Sequence, residues 1–293
     1  MTPEQAQQSL ALWWAAFSVI AFAWGACIGS FLNVCIYRIP REESIVRPRS
    51  HCPHCGRAIP WYLNIPIVSY ILLRGRCADC RRGISPRYVL VELLVAVLFW
   101  MVWQQFGYAG DHPLLGMVPI AVEHMALVPI AWLIIGGLVL GTFVDFEHLI
   151  IPDRVTLGGI GAGLVLSGVF PEMQGQSTAL GGLAQAAIGA GLGWGILWAV
   201  AVAGKLVFRK DAMGFGDVKL LGAIGACLGW RAVLFTLILS SFMGSLAGIM
   251  MVLAGQKQMQ SRIPFGPYLA LGALLWMFWG PTWWHAYLEL MTP

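Results

Sequence analysis

The chain has 293 residues, of which 58% are hydrophobic and only 11% are charged, and its formal net charge is +4. Soluble domains contain about 45 to 50% apolar residues, so this composition excludes an ordinary soluble protein and indicates a polytopic membrane protein. The basic excess does not indicate nucleic-acid binding, because the sequence has no basic patch interleaved with aromatic residues and no nucleic-acid motif.

Apolar runs of about 20 residues, the length that crosses a bilayer as a helix, recur along the chain. We therefore predict an all-α polytopic membrane protein with about eight transmembrane helices. No lysine or arginine precedes the first run and no small-residue cleavage site follows it, so we expect this run to remain as a helix. The predicted spans are residues 11–36, 88–106, 125–144, 154–171, 178–204, 217–230, 232–255 and 266–288.

The basic residues predict the orientation of these spans. With the amino terminus outside, every lysine and arginine except Arg231 falls in the loops 37–87, 145–153, 205–217 and 256–264 or at the adjoining helix ends. Cytoplasmic loops carry such a basic excess, so we expect these loops in the cytoplasm. This topology also explains the net charge, although a basic surface can attract anionic lipid headgroups as well.

The segment 38–87 is polar, rich in arginine and proline, and carries CPHC at 52–55 and CADC at 77–80. Two such turns can place four thiolates around one tetrahedral zinc ion, which would supply much of the folding free energy of so short a loop. Disulfides are the alternative, but thiols in a cytoplasmic loop stay reduced, and a redox pair would need only one CxxC near a βαβ pattern. The predicted zinc ligands are Cys52, Cys55, Cys77 and Cys80.

Two aspartates stand where apolar runs meet polar loops. Asp145 ends a span within GTFVDFEHLIIPD, and Asp217 closes the tetrapeptide GFGD. A charge moved toward the bilayer centre costs about 2.5 to 3.5 kcal/mol, so such carboxylates normally have a partner or a function. Taken alone, Asp145 is also explained by an ion pair with a basic loop residue, and Asp153 by capping of the next helix.

Other polar residues at the spans have simpler interpretations. Glu92, a few residues into the second span and within reach of Arg87 and the interface, is interpreted as a paired structural residue, and Asn33 as a cap or a bridge between helices. Lys219 either reaches the interface as a snorkelling side chain or influences the nearby aspartate. Cys27, Cys35 and Cys227 are interpreted as small buried hydrophobic residues.

A carboxyl pair is suited to peptide hydrolysis. Two carboxyl groups a few ångströms apart cannot both ionise cheaply, so one keeps its proton. The ionised group can take a proton from water while the neutral group polarises the peptide carbonyl, without a covalent intermediate. We predict that Asp145 and Asp217 share this role, and we do not assign the proton, because such a pair titrates as a unit. The HExxH and GxSxG motifs of zinc and serine hydrolases are absent from the sequence.

Seven segments occur in a recognisable order between residues 29 and 270. They are GSFLNVCIYRIP, the paired CxxC turns, NIPIVSY, YVLVELL, DFEHLIIPD, GFGDVKLLGAIGA and IPFGPYLA. Together they resemble the bacterial type IV prepilin peptidase family, and they cover most of the chain.

The resemblance implies an inner-membrane aspartic protease of the GxGD type, with Asp145 and Asp217 as its catalytic pair. The family removes a short basic leader from precursors of type IV pilins or type II secretion pseudopilins, cutting on the cytoplasmic side after a glycine. Many members then methylate the new amino terminus, commonly phenylalanine, using S-adenosylmethionine, and these two-activity enzymes carry the cysteine loop. The expected partners are such a precursor and membrane lipid, with the amino terminus of the chain in the periplasm.

These expectations divide the chain into a first transmembrane helix at 1–37, a cytoplasmic zinc-binding loop domain at 38–87 and a transmembrane protease bundle at 88–293. An alternative from another class is a transporter or assembly scaffold whose aspartates carry protons or an ion. It is disfavoured because both aspartates fall at cytoplasmic ends of spans and not at mid-bilayer. A third alternative is a methyltransferase with structural aspartates. No glycine-rich cofactor fingerprint follows a strand, so the sequence does not place an S-adenosylmethionine site, and it leaves the individual precursor and the oligomeric state open.

Overall fold

The computed structural model describes residues 3–107, 125–209, 213–254 and 264–291. Within these ranges the chain is helical and has no strand, which confirms the predicted all-α fold. The predicted loop 256–264 lies almost entirely outside the described residues. The helices are α1 (Pro3–Arg38), α2 (Val68–Leu72), α3 (Arg87–Gly107), α4 (Leu127–His148), α5 (Asp153–Val169), α6 (Ala179–Phe208), α7 (Phe215–Leu253) and α8 (Gly266–Met291).

The eight predicted spans coincide with helical segments of the described chain. The sixth and seventh spans lie together in α7, which is interrupted at Gly229, where φ is 82° and ψ is 172°. A positive φ of this kind favours glycine, so the break falls where the sequence permits it. Among the described residues, five helical stretches are long and apolar enough to cross a membrane, namely Leu12–Arg41, Arg87–Gln105, Leu127–His148, Ala179–Val207 and Phe215–Leu253.

The described chain forms two compact units, and the boundary between them lies within α4, between Val139 and Leu140. In the first unit, α1 packs against α3 at two glycines. A Cβ at Gly25 would lie 2.8 Å from the Ala96 Cα, and one at Gly29 would lie 2.7 Å from the Glu92 Cα. Small residues allow membrane helices to approach this closely.

Polar side chains add to the packing of α1 against α3. Asn33 Nδ2 donates a hydrogen bond to the Tyr88 carbonyl at 2.9 Å, which confirms its interpretation as a bridge between helices. Glu92 Oε2 accepts from the Ile67 amide at 2.7 Å. Glu92 is therefore a paired structural residue, and this partner is a loop amide.

In the second unit, α7 packs against α5, α6 and α8. A Cβ at Gly189 of α6 would lie 2.2 Å from the Gly225 carbonyl oxygen, and one at Gly225 would lie 2.1 Å from the Gly189 carbonyl oxygen. The two backbones are thus in direct contact. Near the break in α7, Gln174 Nε2 donates to the Ala226 carbonyl at 3.0 Å, so a buried carbonyl keeps a partner there.

Candidate catalytic site and metal centre

Asp145 lies in the last turn of α4, where the helix ends at a left-handed residue. Leu149 has φ 54°, and its amide donates to the Asp145 carbonyl at 2.9 Å. The Asp145 side chain is buried, and its Oδ2 accepts a hydrogen bond from the Gly266 amide at 3.0 Å. A Cβ at Gly266 would lie 2.7 Å from this oxygen, so a glycine is needed at the start of α8 for the contact.

Asp217 is the third residue of α7 and is also buried. Gly214 is the helix N-cap, and the Asp217 amide donates to its carbonyl at 3.1 Å. A Cβ at Gly214 would lie 3.3 Å from Asp217 Oδ2, so the carboxylate lies over the helix start. The partial positive charge of the helix amino terminus also stabilises a carboxylate there.

Glycines next to each of the two aspartates approach Ile151, a buried residue of the loop between α4 and α5. A Cβ at Gly266, beside Asp145, would lie 3.0 Å from Ile151 Cδ1, and one at Gly216, beside Asp217, would lie 3.3 Å from Ile151 Cβ. The charge of Asp145 acts on the Asp217 carboxyl group. The structure therefore places both predicted carboxylates in one buried region of the second unit.

Asp153 and Lys219 form an ion pair beside this region, with Nζ 2.6 Å from Oδ1. The interpretation of Asp153 as a helix cap is wrong, because the N-cap of α5 is Pro152 and no side chain caps that helix end. Asp153 is instead the first residue of α5, and its partner belongs to α7. Lys219 therefore connects two helix ends of the second unit and does not extend freely to the interface.

We expect Lys219→Met to have a small effect on stability and on activity. The Asp153 side chain is 60% exposed, and ion pairs screened by solvent contribute about 0.2 to 1 kcal/mol, which corresponds to a rate effect of up to about fivefold. A double-mutant cycle with Asp153→Asn, followed by thermal unfolding in detergent, measures the pairwise free energy. A loss of peptidase activity as large as that of an Asp217 variant would show that Lys219 belongs to the catalytic machinery.

The four predicted zinc ligands form one cluster in the first unit. The Sγ atoms of Cys52, Cys55, Cys77 and Cys80 all lie within 4.8 Å of one another. These cysteines are free, so the structure does not contain the two alternative disulfides. The prediction that these residues come together is confirmed.

The cluster is built from two turns of the same conformation. The Cys52 amide donates to the Arg57 carbonyl at 2.9 Å, and the Cys77 amide donates to the Arg82 carbonyl at 2.8 Å. Each turn has a left-handed residue directly after its second cysteine, Gly56 with φ 69° and Arg81 with φ 59°. The sequence analysis did not find this equivalence, because the two positions carry different residues.

The donor set fits a zinc ion. Cys52 Sγ and Cys80 Sγ are 3.8 Å apart, which is the separation of two ligands in a tetrahedral site with bonds of about 2.3 Å. The Cys55 amide lowers the pKa of Cys52 to about 7. The Arg82 amide acts in the same direction on Cys80, but desolvation and the neighbouring thiols outweigh it and raise the pKa of Cys80 to about 11. Four thiolates therefore need a cation between them.

Three residues that make the contacts described above were not identified from the sequence. Gly266 lies within the segment IPFGPYLA, which supported the family resemblance but was given no function in the sequence analysis. Ile151 carries no chemical signal, because its role depends on which backbones lie beside it. Ile67, the partner of Glu92, has φ 63° and ψ −54°. A positive φ is unusual for a β-branched residue, so the sequence does not predict this backbone conformation.

Two family models match the chain. One, described as the bacterial peptidase A24 N-terminal domain, matches residues 23–106. The other, described as the type IV leader peptidase family, matches residues 132–249 and so includes both aspartates. No solved structure matches the chain.

Curated relatives named prepilin leader peptidase/N-methyltransferase are similar over most of the chain. The one from Myxococcus xanthus is 40% identical over 238 residues, which are 81% of this chain and 64% of that protein. The one from Aeromonas hydrophila is 36% identical and covers 92% of both chains. The one from Pseudomonas putida is 33% identical, over 94% of this chain and 96% of that protein. This chain therefore belongs to the type IV leader peptidase family of membrane proteins, together with these prepilin leader peptidase/N-methyltransferases.

Proposed function

We propose that this chain is a membrane-embedded aspartic endopeptidase that removes the basic leader from type IV prepilins or type II secretion pseudopilins. It then methylates the new amino terminus with S-adenosylmethionine as methyl donor. The observation that carries the proposal is the burial of Asp145 and Asp217 beside glycines that both approach Ile151, in a chain of the type IV leader peptidase family. Both residues are placed at helix ends, where water can reach a site inside a membrane protein.

The two carboxyl groups act as a unit in this mechanism. The ionised carboxyl group takes a proton from a water molecule, whose oxygen adds to the carbon of the scissile carbonyl. The neutral carboxyl group donates its proton to the carbonyl oxygen, and a proton then passes to the leaving nitrogen as the C–N bond breaks. The hydrogen bond from the Gly266 amide holds Asp145 in place during these transfers.

The substrate meets this site without leaving the bilayer. The apolar helix of the precursor lies in the membrane and its basic leader lies in the cytoplasm, so the scissile bond is at the depth of the aspartates. The arginine-rich loops of this chain face the same side, and its amino terminus lies in the periplasm. In this proposal the enzyme lies in the bacterial inner membrane with its site on the cytoplasmic side.

The four-cysteine cluster holds a structural Zn²⁺ ion in this proposal. Cys52, Cys55, Cys77 and Cys80 are its ligands, and the ion joins the two equivalent turns of the loop domain. His51 Nδ1 lies 3.1 Å from the Arg49 carbonyl and His54 lies beside Arg82, so neither imidazole is required as a ligand.

In the methylation step, S-adenosylmethionine supplies the methyl group that the new terminal amine receives.

A reconstituted assay tests the proposed function. The purified chain in liposomes is incubated with a precursor that has a basic leader ending in glycine, then phenylalanine and an apolar helix. We expect a mass loss equal to the leader and, with labelled S-adenosylmethionine, label on the new amino terminus. The transporter alternative predicts an intact precursor and a proton or ion flux that depends on the aspartates. An intact precursor after full incubation would exclude the peptidase.

Removal of one cysteine tests the metal centre. We expect Cys52→Ser to lower the zinc content from one ion per chain to none and to make the segment 38–87 sensitive to added protease. Structural zinc contributes about 10 to 16 kcal/mol of apparent binding free energy, which so small a loop cannot replace. The measurement combines metal analysis with limited proteolysis. The control variant is Cys27→Ser, because Cys27 is exposed and its interpretation as a buried residue is wrong. A Cys52→Ser protein that keeps its zinc would show that other ligands hold the ion.

A further inference from the structure

The loop 38–87 presents a set of large apolar side chains that the rest of the described chain does not cover. Trp61 is 82% exposed, Ile71 is 65% exposed and Leu72 is 76% exposed. We call this set the apolar patch, and its members are Trp61, Tyr62, Ile65, Val68, Ile71 and Leu72. Contiguous exposed apolar surface of this kind marks a site of interaction with a protein or a membrane.

The contact of Glu92 with Ile67 defines the depth of this patch. Glu92 is five residues beyond Arg87, the first residue of α3, so it lies about 7.5 Å along the helix. Its Oε2 accepts from the Ile67 amide at 2.7 Å, which places the backbone in the middle of the patch beside the first turns of α3. The stretch of α3 that can cross a membrane begins at Arg87. Residue 67 therefore lies near the end of a membrane-spanning helix, where headgroups meet acyl chains.

The membrane-facing surface of α3 begins at the same level. Leu90, Leu93 and Leu94 are exposed on α3, on the turns next to Glu92. A helix of a membrane protein exposes such residues to lipid, and the Ile67 contact holds the patch segment beside this part of α3. Interfacial segments of other proteins bury their apolar side chains at this depth, about 5 to 10 Å into the boundary region.

The charges around the patch are suited to anionic lipid. Arg74 and Arg76 follow it directly, and both are exposed. The segment 38–87 has many more arginines than acidic residues, and one of those acids, Asp79, already pairs with Arg57 at 2.7 Å. Basic residues near an anionic leaflet are attracted to its phosphate groups. A protein partner could bury the same apolar side chains, but it would also need acidic residues around its contact surface to pair with these arginines.

We propose that the apolar patch lies in the headgroup region of the leaflet into which α1 and α3 emerge, with its apolar side chains in contact with acyl chains. The neighbouring arginines contact the phosphate groups of anionic phospholipids. The partner of this surface is thus the membrane itself. The patch attaches the four-cysteine loop to the bilayer surface, and Glu92 sets the depth of attachment. The proposal does not depend on the peptidase or methyltransferase activity.

Spin labels at defined positions test this placement in the full chain. A ketone-bearing amino acid is introduced at position 61 or 72 and coupled to a nitroxide, so that the native cysteines stay intact. The labelled proteins are reconstituted in liposomes of phosphatidylethanolamine and phosphatidylglycerol. Collision rates with oxygen, which partitions into lipid, are compared with those of a water-soluble nickel chelate. A label at Arg57, an exposed residue of the first cysteine turn, is the matched aqueous control.

We expect labels at 61 and 72 to collide more with oxygen than with the nickel chelate, and the label at 57 to show the reverse. Labels at 61 and 72 with the same ratio as the label at 57 would overturn the proposal. Mutual spin broadening, with protection from both reagents, would assign the patch to a second copy of the chain. Protection that appears only after a precursor is added would assign it to the substrate, and either result also overturns the proposal. Zinc content shows that each labelled protein is folded, and Ile71 provides a replacement position.

Discussion

Replacing Asp217 with asparagine is expected to lower kcat for leader removal by about 10³ to 10⁴-fold, and Asp145→Asn is expected to have the same effect. Asparagine keeps the size of the side chain but can neither accept nor deliver a proton, and general acid–base catalysis contributes about 10² to 10⁴-fold. Because the two carboxyl groups act as a unit, the double variant should be no slower than either single variant. Leader loss is measured by mass spectrometry in single-turnover experiments.

The control for this prediction is Asp153→Asn, which removes a carboxylate at the start of α5. Asp153 is paired with Lys219 and is largely exposed, so its replacement should keep the rate within about fivefold of the wild-type value. Binding of the precursor should be unchanged in the Asp145 and Asp217 variants, which separates loss of catalysis from loss of folding. Full cleavage by either of these variants would remove that residue from the mechanism, and additive losses would contradict a shared proton.

Gly189→Ala is expected to destabilise the second unit by about 1 to 3 kcal/mol, the usual cost of overpacking a well-packed interior. The new Cβ would lie 2.2 Å from the Gly225 carbonyl oxygen, so α6 and α7 would have to separate. Since α7 carries Asp217 in its first turn, the rate of leader removal should fall as well. The free energy of unfolding is measured by denaturant titration in detergent, and Gly225→Ala tests the same contact from the other helix.

The matched control is Gly191→Ala, two residues further along α6. A Cβ at Gly191 would have nothing within 4 Å, so the substitution should stabilise the helix, because alanine exceeds glycine in helix propensity by about 1 kcal/mol. The two substitutions involve the same chemical change in the same helix and are expected to have opposite signs. If Gly189→Ala stabilised the protein as much as Gly191→Ala, the close approach of α6 and α7 would be wrong.

Much of the architecture follows from local composition. The spans could be located because a bilayer requires about 20 apolar residues in a row, and this requirement does not depend on how the helices pack. The zinc ligands could be named because a CxxC turn brings two thiols together within four residues. The equal conformation of the two turns around Gly56 and Arg81 became visible only in the structure. Asp145 and Asp217 could be singled out because carboxylates are rare at the ends of apolar runs.

The contacts around the aspartates could not be predicted, because they join residues that are far apart in the chain. Gly266 is 121 residues from Asp145, whose carboxylate its amide binds. Asp153 was predicted to cap its own helix, yet it pairs with Lys219, 66 residues away, since Pro152 occupies the cap position. Hydropathy and local spacing report only on neighbours in the chain, whereas these contacts depend on how closely helix backbones approach. That approach is decided by tertiary packing at small residues such as Gly189 and Gly225.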